Sequence, residues 1–168
     1  VFALAQTAVY LHDSVLSYRQ DNEGSSVNSP NKVHCVNDEY AEIHRWIVED
    51  YAGDHSSRDA ARLLQFANII KYDSYMWSYV RLNPRFYPEF LDSMAREFSA
   101  ALEAREFELA DLKPWKRANL KAIIDDPQAW LAQSSDFATA GALGRAKHYA
   151  RVGGPGVVVA FVLDTLKK

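Results

Sequence analysis

A single cysteine, Cys35, stands in 168 residues, so the chain cannot close a disulfide within itself. That fits a reducing compartment and is equally compatible with secretion. No run of 18 apolar residues occurs, which argues against a helix spanning a bilayer. The short motifs that carry chemistry by themselves are also missing. There is no GxxxxGK[ST] or GxGxxG to cradle phosphates, no HExxH or paired CxxC to hold a metal, and no GxSxG to present a serine. Nothing therefore points to a metal or a cofactor. No repeat and no low-complexity tract breaks the chain up.

What is present suits one soluble helical domain. At 168 residues with 48% hydrophobic and 12% aromatic content, the chain is long enough to bury a real core. It begins at Val1, and VFALA before Gln6 has no basic region ahead of it. The expectation is a single domain over residues 1–168 taken from a longer protein.

The rest is organised around Ser56 to Leu82. Ser56 is a capping residue, with Asp59 three positions on closing a near capping box. Asn83-Pro84 ends the helix, because the residue before a proline is pushed out of helical geometry. Phe66, Ile69, Ile70, Met76, Trp77 and Val80 recur at helical spacing and are expected on one buried face. A second row runs Gln65, Asn68, Tyr72, Tyr75 and Tyr79 and is expected at the edge of the core. Asp73 interrupts the first face between Ile70 and Trp77. If buried there, it requires a cationic partner, expected to be an arginine. The functional alternative is an unpaired carboxyl in a cleft.

In chain order, residues 3–20 read as a helix with the stripe Leu4, Ala8, Leu11, Val15 and Tyr18. Residues 21–34, DNEGSSVNSPNKVH, read as a flexible loop. A second helix is expected from Asp38 to Tyr51, capped by Asn37 and stopped by Gly53, forming a hairpin with the central helix. After the central helix, Pro88 opens a helix with Leu91, Met94, Phe98 and Leu102 inward, reaching about Ala110. Pro114 and Asp126-Pro127 open two shorter ones. Ser134 or Ser135 is expected to cap another, carrying Phe137, Leu143 and Tyr149, in which Gly141 and Gly144 leave room for a neighbour. Gly153-Gly154-Pro155-Gly156 breaks the chain before a last apolar helix. The expectation is an all-α bundle of seven to eight helices around a central buried one.

Five residues are candidates for chemistry: His12, Asp13, Cys35, His44 and Asp73. His12-Asp13 is a possible acid–base pair. Adjacent His and Asp also occur on helices of metal phosphohydrolases and secreted phospholipases A2, but no His precedes His12 and no cysteines flank it. Cys35 stands near a helix start, where a thiolate is favoured, and would need one of the histidines as base. His44 lies at the apolar edge of its helix, with Glu42, Asp54 and His55 nearby in sequence. For each, the simpler reading is a packed or solvated side chain.

Charge is uneven. Residues 38–111 hold 15 acids against 8 bases, a net of −7, and residues 112–168 hold 9 bases against 4 acids, a net of +5. Lys113, Lys116, Arg117 and Lys121 with Trp115 make a basic patch of the kind nucleic acids meet. The preferred expectation is that the basic third faces the acidic middle of the same molecule. Two functions follow: a helical binding domain with a protein partner, or a small helical hydrolase of the toxin or effector type using His, carboxylate or Cys chemistry.

Overall fold

The computed structural model describes residues 35–134 and 137–166. The helix expected over 3–20, the loop 21–34, His12 and Asp13 lie outside the described residues. Six helices and no strand occur among those that are described, which makes the fold all-α. They are α1 (Cys35–Trp46), α2 (Ser57–Tyr79), α3 (Tyr87–Glu103), α4 (Pro114–Asp125), α5 (Pro127–Gln133) and α6 (Ala142–Leu166). The expected seven to eight therefore overshoots this part of the chain. One reason is that the two C-terminal helices run together across a kink.

Helix α1 starts earlier than its acids suggested, so Asn37 lies inside it, buried, and does not cap it. It continues through a π turn, Ile47–Tyr51, and a last turn, Ala52–Asp54. Gly53 sits within that turn and does not terminate it; His55 does, with extended backbone. The wide turn lets residues five apart meet: Trp46 packs on Tyr51 at 5.5 Å. Tyr51 in turn stacks on His55, four residues on, at 3.9 Å. Helix α2 is capped as expected, Ser56 Oγ accepting from Asp59 N at 3.2 Å. The hydroxyl of Tyr40 near the start of α1 meets Ser74 Oγ near the end of α2, at 2.8 Å, so the two helices form the expected antiparallel hairpin.

The faces of α2 differ from the expectation: Ile69, Met76 and Val80 of the expected buried face pack partly buried against the core, but its other members do not, and the tyrosine row lies deeper. The buried residues are Ala60, Asn68, Tyr72, Tyr75 and Tyr79, whereas Phe66, Ile70 and Trp77 are exposed by 58%, 41% and 44%. Tyrosine buries a ring as large as phenylalanine's wherever its hydroxyl finds a partner. Tyr75 and Tyr72 both find one, and the Tyr75 ring fills the space against Phe90 and Phe98 of α3. Trp77 instead lies under the Arg81 guanidinium, 3.8 Å from its ring centre. Asp73 therefore also faces outward, and its partner is Lys116 at 2.5 Å, not an arginine. The buried partner of the pair is the lysine: the Lys116 side chain is 12% exposed and that of Asp73 53%.

Helix α3 buries Phe90, Leu91, Met94, Ala95, Phe98 and Ala101. It ends at Glu103, short of Ala110. Arg105 takes a left-handed φ of 57°, Glu106 N reaches Ala101 O at 2.9 Å and Arg105 N reaches Leu102 O at 3.1 Å. This is a Schellman end built on arginine where glycine is usual, which is why composition did not mark it.

Helices α4 and α5 begin at Pro114 and Pro127 as expected, with Asp126 capping the second. Ser134 is the C-cap of α5, its N–H reaching Leu131 O, Ser135 lies outside the described residues, and Phe137 lies in a turn ahead of α6. Between them a buried polar hub forms. Trp130 Nε1, a donor only, reaches Asn119 Oδ1 at 3.0 Å, and this sets the amide's orientation. His148 Nε2 must then donate to the same oxygen, at 2.7 Å. In the neutral ring that leaves Nδ1 to accept from Ser134 Oγ at 3.0 Å. The amide's nitrogen donates to Tyr72 OH at 3.0 Å, so one asparagine joins α2, α4, α5 and α6.

Helix α6 bends at Gly154, whose φ of 74° is open to glycine, ahead of Pro155. The close approach expected at Gly141 and Gly144 occurs instead at Gly153, where a Cβ would lie 2.8 Å from Ala118 of α4. By length and hydropathy α6 could cross a membrane, contrary to the expectation from apolar runs.

Candidate functional site: a groove between α1, α2 and α3

A groove of about 640 Å³ opens where α1 lies along α2 and α3. Its volume falls within the range of ligand pockets. Small and apolar side chains make its walls: Ala41 and Ile43 from α1, Leu64 and Ala67 from α2, Ala100 and Ala101 from α3, with Ala104 just beyond α3. Alanines spaced along facing helices keep these walls low, so another backbone can come close.

A polar cluster closes one end. Glu97 of α3 is half-buried and receives four donors. Asn37 Nδ2 and Ser93 Oγ reach Oε1 at 2.6 and 2.9 Å. Tyr75 OH and Lys71 Nζ reach Oε2 at 2.5 and 2.7 Å. Burial alone would raise this carboxyl's pKa. The bonds from Lys71 and Tyr75, the Lys71 charge and the Asn37 amide outweigh it and hold the group below the usual carboxylate range. Burial and the bond to Glu97 push the Tyr75 phenol well above its ordinary value, so it stays a donor. A carboxylate with every lone pair engaged is a poor acid or base. Its role is to tie α1, α2 and α3 together. One atom of the cluster is left over: Asn37 Oδ1 is buried and has no hydrogen-bond donor among the described residues.

The pH dependence of stability follows. A folded-state pKa below the unfolded value of about 4.3 means the native state holds on to its charge. Glu97 therefore stabilises fully above the unfolded value, and this contribution fades as pH falls through the folded one. Urea midpoints measured from pH 7 down to pH 3 should drop less steeply in Glu97→Gln than in the parent, from a lower starting point. Parallel curves would reject the assignment.

The other end of the groove holds His44 and Glu106, with Nε2 and Oε1 2.6 Å apart. The left-handed Arg105 turns the chain after α3 so that Glu106 points back to α1. Of the three sequence candidates among the described residues, only His44 lines this groove. Cys35 starts α1, and Asp73 pairs with Lys116 on α4. The described candidates are not gathered in one cleft. Among the described residues no three His, Cys, Asp or Glu side chains group as metal ligands. The basic patch is also largely engaged, Lys113 with Asp164, Lys116 with Asp73 and Lys121 with Asp125.

No family model, no curated protein and no solved structure matches this chain.

The groove residues that sequence reasoning missed are Asn37 as a buried partner, Lys71, Ser93, Glu97 and Glu106. Two signals were available. Lys71 precedes Tyr75 by four residues, beside the tyrosine row. Glu97 falls between Met94 and Phe98, so it had to lie at the border of the inward stripe.

Proposed function

We propose that this is a protein-binding domain whose groove between α1, α2 and α3 takes a helical segment with an apolar, small-residue stripe and a basic side chain. The observation that carries the reading is the buried, unpartnered Asn37 Oδ1 at the edge of an alanine-walled groove. An acceptor without a donor costs about 1–3 kcal/mol, which a donor from a ligand would recover. The charge points the same way. The groove presents Asp38, Glu97 and Glu106 against Lys71, and the exposed side of α1 adds Glu39, Glu42 and Glu49. A lysine or arginine from the partner supplies both the missing donor and the opposite charge. Among the described residues the hydrolase alternative draws only on the His44–Glu106 pair, because Cys35 and Asp73 are not placed beside it.

Two designed 18-residue amphipathic helices of alanine and leucine, one carrying lysines and the other glutamates on the polar face, test this by fluorescence anisotropy. The lysine peptide should bind and the glutamate peptide should not. Filling the groove with Ala104→Trp should weaken binding by at least about tenfold, equal to roughly 1.4 kcal/mol. Equal binding of both peptides, or no effect of Ala104→Trp, would sink the proposal.

A further inference from the structure

The second half of α6, from Pro155 onward, is apolar on both sides. Its inner face, Val157, Val158 and Phe161, packs against the core, with Phe161 5.7 Å from Trp115 and 4.8 Å from Tyr149. Its outer face carries Val159, Val162, Leu163 and Leu166, exposed by 58%, 41%, 54% and 77%. Steps of three, one and three residues place these four side chains in one stripe. A helix apolar all round is ordinarily covered all round. Helix α6 has 25 residues and a window of mean hydropathy 1.2, only 6% of which is buried. A stripe of this kind left open to water marks a contact surface.

We infer that this stripe docks the domain on an anionic lipid surface, with the outer half of α6 lying in the plane of the interface. Three observations favour lipid over other occupants. The first is charge. Residues 112–168 hold 9 bases against 4 acids; Lys113, Lys116 and Lys121 are engaged in ion pairs, but Lys167-Lys168 follows the stripe directly in the sequence. The single acid within α6, Asp164, is held by Lys113 at 2.5 Å. An apolar stripe flanked by basic residues is the combination that holds peripheral helices on anionic membranes. The second is area. A stable dimer uses about 800 Å² and roughly 20–30 residues on each side, and four side chains fall far short of that. Shallow insertion into the headgroup region needs no such area. The third is the inner face. Val157, Val158 and Phe161 are committed to the core, so α6 can lie on a bilayer while still attached to the domain, whereas spanning it would strip that packing away. The surface is separate from the groove and does not depend on what the groove binds.

Co-sedimentation with phosphatidylcholine vesicles, with and without phosphatidylserine, tests the inference on the full 168-residue chain. The bound fraction should rise with phosphatidylserine content and fall as ionic strength rises. Val162→Ser, Leu163→Ser and Leu166→Ser together should cut the partition coefficient at least about tenfold, with an unchanged thermal melt because these side chains face solvent. A second measurement stands if the triple variant misfolds: in Leu166→Trp, lipids brominated on the acyl chain should quench the added fluorescence. Absence of sedimentation with every vesicle would overturn the inference. So would undiminished binding by a folded triple variant, no added quenching in Leu166→Trp, or a dimer that the triple substitution dissolves while lipid has no effect.

Discussion

Asn119→Ala should lower the unfolding free energy by about 3–5 kcal/mol, because it strands several buried groups at once. Asn119 is fully buried, and its amide serves Tyr72, Trp130 and His148 at 3.0, 3.0 and 2.7 Å. Alanine leaves the indole N–H and the imidazole N–H without acceptors in a site that water does not reach, and it opens a small void. Tyr72→Phe removes only one bond of the hub and should cost roughly 1 kcal/mol. The gap between the two is the informative quantity, read from urea denaturation curves at neutral pH. If Asn119→Ala costs no more than Tyr72→Phe, the hub does not hold the four helices together.

Phe98→Ala should cost about 3–5 kcal/mol, whereas Trp77→Ala, which removes a larger side chain, should cost less than about 1 kcal/mol. Phe98 is fully buried, with its ring centre 5.9 Å from Tyr75 and 5.7 Å from Phe107, so alanine leaves a cavity enclosed by rigid rings. Trp77 is 44% exposed and stacks under the side chain of Arg81 on its outer face. Removing it returns ring surface to water on one side and creates no enclosed space. Chemical-denaturation midpoints of the two variants check this, and equal losses would mean that the burial pattern of α2 is wrong.

Much of the architecture was legible. Proline at Pro114 and Pro127 and the cap at Ser56 mark helix ends through backbone geometry, and backbone geometry is local, whereas α2 stops at Tyr79, short of the Leu82 expected from Asn83-Pro84. The stripe through Leu91, Met94 and Phe98 has a single clear phase, and it is the buried one. Helix α2 was misread because both of its faces are rich in large rings, and hydropathy ranks Trp and Phe above Tyr. Two of the three phenols on the buried face are held by distant partners, Glu97 and Asn119, 22 and 47 residues away along the chain, while Tyr79 is buried by ring packing alone, its hydroxyl without a partner among the described residues. The end of α3 was misread because arginine occupies the left-handed position. The groove was not legible for a related reason. Its walls are alanines, which carry no chemical signal, and its polar end is assembled from three helices. Asp73 was expected to be buried against an arginine; it is instead the exposed member of a pair whose largely buried member is Lys116.

The π turn at Ile47–Tyr51 divides α1 into two rotational frames. Residues before the turn follow one helical phase and those after it another, offset by about 100°, the angle one residue adds to an α-helix. Deleting a single residue from the turn would therefore act less as a shortening than as a change of phase. Ile47 and everything ahead of it would stay seated on α2, while Tyr51 and His55 would swing away from Trp46 and the connection into Ser56 would have to be rebuilt. Anyone grafting a new segment onto this end of α1, or splicing the hairpin into another scaffold, has to count positions from the second frame and not from Cys35.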